Sequence, residues 1–226
     1  MSRERWALVD EFIEERQLDE DPVLEAALAD SDAAGMPSIA LTPAQGKFMH
    51  MLARIQGARS ILELGTLGAY STIWLARALP DDGRLVTLEL NPDYARVAAA
   101  NVDRAGLAGL IKIEVGPALE GMRALIAEGA GPFDLIFIDA DKQGAAEYFL
   151  QALELSRVGT VIVIDNAVRD GGIVDPDDDE PRVQGMRRFH ETLAAELAGE
   201  RRVSATTIQT VGAKGYDGFT LAIVER

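Results

Sequence analysis

The chain of 226 residues contains no cysteine. Disulfide frameworks and thiolate zinc sites are thereby excluded. Histidine is nearly as scarce, with His50 and His190 alone, too few for a metal centre built on imidazoles. Any resident metal ion must then be held by oxygen. Basic residues are few beside acids: 22 Lys and Arg stand against 37 Asp and Glu, a formal charge of -15. Such a surface repels a phosphate backbone, so nucleic acid is not an expected partner. No run of about 18 apolar residues offers a membrane span. The opening MSRERWALVDEFIEER is charged throughout and lacks the apolar centre of a signal peptide. The expectation is a cytoplasmic protein without a membrane partner.

What is present fits a single domain, residues 1–226, with enough length for a sizeable core. Residues 1–57 read as helices covering the sheet and the substrate side, and residues 58–226 as a Rossmann-like core. Trp6, Val9, Phe12 and Ile13 recur at helical spacing between Arg3 and Gln17. Asp21-Pro22 is a cap followed by proline at the first helical position, opening a helix to about Ala34 before Gly35. Thr42-Pro43 opens a third helix, with Phe48, Met51, Leu52 and Ile55 on one face. That face is expected to be buried, over the sheet or in a dimer.

From Ser60 onward, short apolar runs alternate with helical segments, the sequence form of a doubly wound α/β sheet. Strands are predicted at Ile61 to Leu64, Leu85 to Leu90, Ile111 to Val115, Leu135 to Ile138 and Val158 to Ile164. Helices are predicted at Ser71 to Leu79, Pro92 to Ala105, Ala118 to Glu128 and Gln143 to Ser156. Asp175 to Pro181, DPDDDEP, reads as a solvated loop that also has the place of a mobile lid. A helix from Arg182 to Leu197 follows. Val203 to Thr210 and Phe219 to Val224 close the chain as strands joined through the glycines of GAKGYDG. A terminal hairpin requires at least one antiparallel strand.

Candidate chemistry gathers at two strand ends. Phe133 to Lys142, FDLIFIDADK, is an apolar run that breaks into Asp139, Asp141 and Lys142, and open α/β sheets bind ligands at the carboxyl ends of their strands. The run ending at Ile164 breaks likewise into Asp165 and Asn166. If these strands are neighbours, Asp139, Asp165 and Asn166 offer hard oxygen ligands to one cation, Mg²⁺ or a similar ion such as Ca²⁺ or Mn²⁺. Lys142 would lie close by as a general base. Asp141 has the plainer reading of a helix cap.

A cofactor turn is predicted at ELGTLGAYS, residues 63–71, where the first strand gives way to a helix. Glu89 ends the next strand, 24 residues past Gly65, the usual distance for an acid that takes ribose hydroxyls. The turn lacks the G-x-G-x-x-G spacing and carries an acid, Glu63, before its first glycine. A carboxylate repels a pyrophosphate but suits an ammonium and a sulfonium, which favours S-adenosylmethionine over NAD.

ELGTLGAYS, Glu89, the stretch Val115 to Leu119, FIDADK, Asp165-Asn166 and the closing GYDGF together resemble the cation-dependent O-methyltransferases of catechol and caffeoyl-CoA type. The resemblance runs from about Met36 to the C-terminus. It implies a class I methyltransferase fold, a Rossmann-like sheet of seven strands with the last antiparallel, often as a homodimer acting on a small aromatic hydroxyl substrate. It implies that Asp139, Asp165 and Asn166 bind a divalent cation, with Lys142 near the reacting hydroxyl. Glu89 would take the ribose diol, and Ala118 would adjoin the adenine. Leu41, Glu63, Gly65, Thr66 and Ser71 would surround the methionine part, with Asp139 serving the cofactor as well as the metal. Members usually carry glycine where this chain has Ala69. If that position needs positive φ, alanine costs roughly 1 kcal/mol, and the expectation is that Gly68 carries the turn instead. Two other readings stay open on the residues: a nucleotide-cofactor oxidoreductase on the same sheet, and a non-catalytic dimeric protein that binds S-adenosylmethionine.

Overall fold

A computed structural model describes residues 2–226. Helices α1 (Arg3–Gln17), α2 (Pro22–Ala33) and α3 (Pro43–Gln56) come first. Then follow β1 (Ser60–Leu64), α4 (Tyr70–Ala76), β2 (Arg84–Glu89), α5 (Pro92–Arg104), β3 (Ile111–Val115) and α6 (Ala118–Ala127). The remainder comprises β4 (Leu135–Ile138), α7 (Ala145–Glu154), β5 (Val161–Asp165), a 3₁₀ turn (Arg169–Val174), α8 (Pro181–Ala198), β6 (Val203–Gly212) and β7 (Gly215–Val224). The strands of the described residues belong to a seven-stranded sheet ordered β3-β2-β1-β4-β5-β7-β6. Strand β7 alone runs against its neighbours, antiparallel to both β5 and β6. Among the described residues no helix is long and apolar enough to cross a membrane. The chain divides into two compact units, Asp10–Gly121 and Met122–Arg226 with the residues up to Val9.

In the first unit, local signals set the helix starts. Asp21 accepts from the backbone N–H groups of Val23 and Leu24 and also pairs with Arg77. Thr42 and Gln45 form a reciprocal capping box, and Gly57 ends α3 at φ 65. Within the chain, the face that α3 buries is not the stripe of Phe48, Met51 and Ile55. Gly46, Met49 and Ala53 are inside, whereas Phe48, Met51 and Ile55 are 42%, 50% and 80% exposed. Gly46 is the reason: a Cβ there would stand 2.3 Å from the Trp74 indole, so the helix turns its smallest side toward α4. Strand β1 is buried throughout and pairs in parallel with β2, which pairs with β3. Ala98 and Val102 of α5 close over Ala69 with Leu107, Ile111 and Ile113.

In the second unit, β4 and β5 are parallel and almost wholly buried. Phe133, Phe137, Phe149 and Phe189 lie within 1% of full burial, each contributing on the order of 2 kcal/mol. Phe149 of α7 and Phe189 of α8 meet edge to face at 5.6 Å. The largest boundary differences from the sequence reading in this unit are the starts of β5 and β7. Strand β5 begins at Val161 because Gly159 turns the chain at φ 88. The terminal hairpin turns on Ala213 and Lys214 alone, since Gly212 pairs with Gly215, and GYDG is part of β7. The acidic segment 175–180 is a loop, as expected, in which Asp175 Oδ1 accepts from Asp177 N–H and Asp178 Oδ1 from Glu180 N–H, while Pro181 already opens α8.

Candidate active site

The turn after β1 is organised by two buried carboxylates. Glu63, with no exposed surface, accepts hydroxyl donors from Ser71 at 2.7 Å, Thr72 at 2.5 Å and Thr87 at 2.8 Å. A buried carboxyl group so furnished has its acceptors satisfied and holds its donors in place. Glu89 reaches across from the end of β2. Its Oε2 accepts from Thr66 N–H at 3.2 Å and Leu67 N–H at 2.8 Å, and its Oε1 from Asn91 N–H at 2.9 Å. Thr66, itself buried, shares a 2.6 Å hydroxyl contact with Thr87. Glu63, Gly65, Thr66, Ser71 and Glu89 are thus gathered into one turn. Leu41 is buried on the segment before α3, and half-buried Ala118 opens α6; the hydrogen bonds of the turn run through neither.

The strain of this turn falls elsewhere than expected. Gly65, Leu67 and Ala69 adopt φ of 93, 50 and 68, and Gly68 is not among the positive-φ glycines. Ala69 therefore carries the left-handed conformation itself, at a cost of about 1 kcal/mol. Gly68 is required for space: a Cβ there would lie 1.9 Å from Ser31 Oγ of α2. Its carbonyl accepts from Asn101 Nδ2 at 3.0 Å, fastening the turn to α5.

A second group of candidate residues, in the other unit, stands at the ends of β4 and β5. Ile138 pairs with Ile164, so Asp139 and Asp165 are the next residues of adjacent parallel strands. Burial and then the charge of Asp139 push the Asp165 carboxyl up to about 7, against the opposing pull of the Lys142 ammonium and the Asn166 N–H. Lys142 is not a solvated lysine: it is 6% exposed. Asn166 follows at φ 55, again left-handed. Asp141 takes the structural part, accepting from Gly144 N–H at 3.0 Å and from the Tyr148 hydroxyl, and the phenol of Tyr148 is held well above its ordinary range by burial and by that carboxylate.

The matching family model is described as O-methyltransferase and spans residues 14–223. The catechol O-methyltransferase of Niastella koreensis is 52% identical over 225 residues, covering 100% of both chains. An O-methyltransferase from Bacillus cereus, solved in complex with SAH, superposes with a TM-score of 0.96 at 50% identity, covering 99% of this chain and 100% of that one. The Streptomyces achromogenes O-methyltransferase involved in tomaymycin synthesis, solved with SAM, gives 0.94 at 49% identity and full coverage of both chains.

The chain belongs to the O-methyltransferase family. That membership makes it an S-adenosylmethionine-dependent O-methyltransferase and decides against the oxidoreductase and non-catalytic readings.

Two features of this O-methyltransferase escaped the sequence reading. The first is Lys214, at the tip of the terminal hairpin. Its ammonium is pushed below its ordinary value by desolvation, while the charges of Asp139 and Asp165 work the other way, although the residue as a whole keeps an exposed surface. Its only sequence signal was a lysine between turn glycines. The second is Gly185 in α8. A Cβ there would stand 2.0 Å from the Lys142 carbonyl, and Arg188 donates to the Gln143 carbonyl at 3.1 Å. Helix α8 thus packs directly on the backbone that carries Lys142.

Whether this donor set suits a cation is a matter of chemistry. Among the described residues no three His, Cys, Asp or Glu side chains gather as a cage. The candidate set is two carboxylates and one amide oxygen, hard ligands that leave positions for water and substrate oxygens. Two carboxylates forced together at a buried strand edge, one of them driven toward neutrality, are a site that a divalent cation would relieve.

Proposed function

We propose that the enzyme transfers a methyl group from S-adenosylmethionine to a hydroxyl of a small aromatic bearing vicinal hydroxyls, assisted by a divalent cation. Mg²⁺ fits the oxygen donors best, with Ca²⁺ or Mn²⁺ as substitutes. The observation that carries this reading is the level placing of Asp139 and Asp165 on paired strands, with the Lys142 ammonium 2.8 Å from Asp139 Oδ1. The catechol O-methyltransferase name of the Niastella koreensis relative supports the substrate class. The SAH and SAM complexes of the Bacillus cereus and Streptomyces achromogenes relatives support the donor.

In this reading Asp139, Asp165 and Asn166 would hold the cation. When bound, it would supply positive charge that favours the ionised form of an acceptor hydroxyl. Lys142 Nζ, neutral at that moment, accepts the hydroxyl proton. The oxygen attacks the sulfonium methyl in line: the O–C bond forms as C–S breaks, and the thioether leaves. Anion and cation annihilate in that step, so positioning at near-attack distance supplies most of the rate. Glu89, already clamping the turn, would take the ribose diol. Leu41, Glu63, Gly65, Thr66 and Ser71 would line the methionine end, Ala118 would adjoin the adenine, and Asp139 would adjoin the donor as well as the cation.

The chain is further proposed to act as a single methyltransferase domain in a cytoplasmic homodimer. Exposed apolar side chains such as Leu8 and Phe12, at 52% and 58%, support a homodimer, since uncovered apolar faces mark association surfaces. The functional test is a methyl-transfer screen over vicinal diphenols and their thioesters, with magnesium or with chelator. Products that require both adjacent hydroxyls and the cation are expected; full turnover in excess chelator would refute the metal role.

A further inference from the structure

The closing Gly-Tyr-Asp-Gly-Phe stretch, residues 215–219, has no part in the reaction proposed above, yet it holds the segment that follows the Asp165-Asn166 pair. Asp217 Oδ1 accepts backbone N–H groups from Val168 at 3.0 Å, Arg169 at 2.9 Å and Gly218 at 2.9 Å. The Gly218 carbonyl accepts from Ala167 N–H at 2.8 Å. On the other side of Ala167, its carbonyl lies 2.8 Å from His190 Nε2. Gly218 must be glycine for this seat, because a Cβ would stand 2.3 Å from the Ile208 carbonyl and 2.7 Å from Val168 Cγ2. The N–H groups of the three residues after Asn166 are therefore all committed to one dipeptide of β7.

That anchoring has something to restrain. Asn166, Arg169 and Asp170 hold φ of 55, 54 and 53, a region that disfavours side chains and persists only where surrounding bonds over-determine it. The Arg169 guanidinium stands 3.6 Å from Asp217 Oδ2, an ion pair that faces the carboxylate toward the segment.

We propose that Asp217 is a positioning residue: its carboxylate fixes the left-handed backbone at Asn166, and thereby the geometry and strength of the divalent-cation site, without touching the ion. This rests on the cation reading above. Groups that orient a metal ligand commonly change metal affinity by about 10- to 100-fold when removed.

The test is direct Mn²⁺ binding to the purified full chain, followed by the electron paramagnetic resonance of free Mn²⁺, in wild type, Asp217→Ala, Asp217→Asn and the same-strand control Tyr216→Phe. S-adenosylmethionine affinity by calorimetry and the far-UV circular dichroism of each variant accompany it. Asp217→Ala is expected to bind Mn²⁺ about 10-fold or more weakly, with S-adenosylmethionine affinity within about twofold. Asp217→Asn, which keeps an acceptor oxygen but not the charge, should fall between it and wild type, and Tyr216→Phe should match wild type. A folded Asp217→Ala with wild-type Mn²⁺ affinity overturns the proposal; if that variant does not fold, wild-type affinity in Asp217→Asn does so. Wild-type protein that binds no Mn²⁺ overturns the cation reading itself, a separate and recognisable failure.

Discussion

The Lys142 ammonium stands 2.8 Å from Asp139 Oδ1, with the lysine side chain 8% exposed and the aspartate 25%. The proposed proton acceptor is thus hydrogen-bonded to a proposed cation ligand, on the same short turn after β4. Asp139 would then serve two partners, the cation and the lysine.

Replacement of Lys142 by alanine is therefore expected to lower kcat by about 10²- to 10⁴-fold while leaving S-adenosylmethionine affinity near wild type. Arginine should not restore turnover, because its guanidinium does not release a proton in this range. Stopped-time assays with saturating donor measure this, and wild-type kcat in Lys142→Ala would remove the lysine from the reaction.

A pH-dependent stabilisation follows from Asp165. Its carboxyl is raised from 3.8 to about 7 by burial and by Asp139, so the folded, cation-free protein binds the proton more tightly than the unfolded chain. The contribution of this group to stability is fully present below about 3.8 and is lost as pH rises through about 7. A divalent cation bound as proposed would replace that proton. The rise in Tm on adding Mg²⁺ should accordingly be larger at pH 8 than at pH 5.5, measured by differential scanning calorimetry. An equal rise at both values would count against cation binding at Asp165.

The turn after β1 predicts different outcomes for two adjacent substitutions. Gly68→Ala places a methyl group 1.9 Å from Ser31 Oγ and should cost on the order of 1–3 kcal/mol, with weaker S-adenosylmethionine binding. Ala69→Gly relieves the left-handed φ of 68 but loosens the unfolded chain, so its net effect should stay within about 1 kcal/mol. Urea denaturation of the two variants decides the matter, and a harmless Gly68→Ala would contradict the packing described.

Gly185 gives a prediction remote in sequence from the chemistry. A methyl group at that position meets the Lys142 carbonyl at 2.0 Å and the Gln143 Cα at 2.7 Å, which are backbone atoms that cannot turn aside. Gly185→Ala should destabilise the protein by about 1–3 kcal/mol and reduce kcat beyond what the lost folded fraction explains, by shifting Lys142. Thermal melts beside initial rates on the folded fraction would separate the two effects; unchanged rates would show that α8 does not position the lysine.

Much of the architecture could be read directly from the residues. Asp21-Pro22 and Thr42-Pro43 mark helix starts because capping acts over three or four residues. The strands announce themselves as apolar runs, and Asp139 and Asp165 stand out as acids at the ends of such runs. Which side of α3 turns inward was left open because periodicity defines a face without saying what that face meets: Phe48, Met51 and Ile55 form a stripe, but the Trp74 indole leaves room only for the side bearing Gly46.

Asp139, Lys142, Asp165 and Asn166, together with the Glu63 to Ser71 turn and Glu89, were determined as candidates by the sequence alone, since strand-end polarity and turn composition are properties of short windows. The tertiary structure decided that Ala69 and not Gly68 bears the left-handed strain, that Lys214 joins the field of the two aspartates, and that Gly185 and Asp217 brace the backbone on either side of them. Each of these depends on an approach between segments distant along the chain, set by the space a neighbour leaves or the hydrogen-bond donors it offers, and no local pattern encodes that distance.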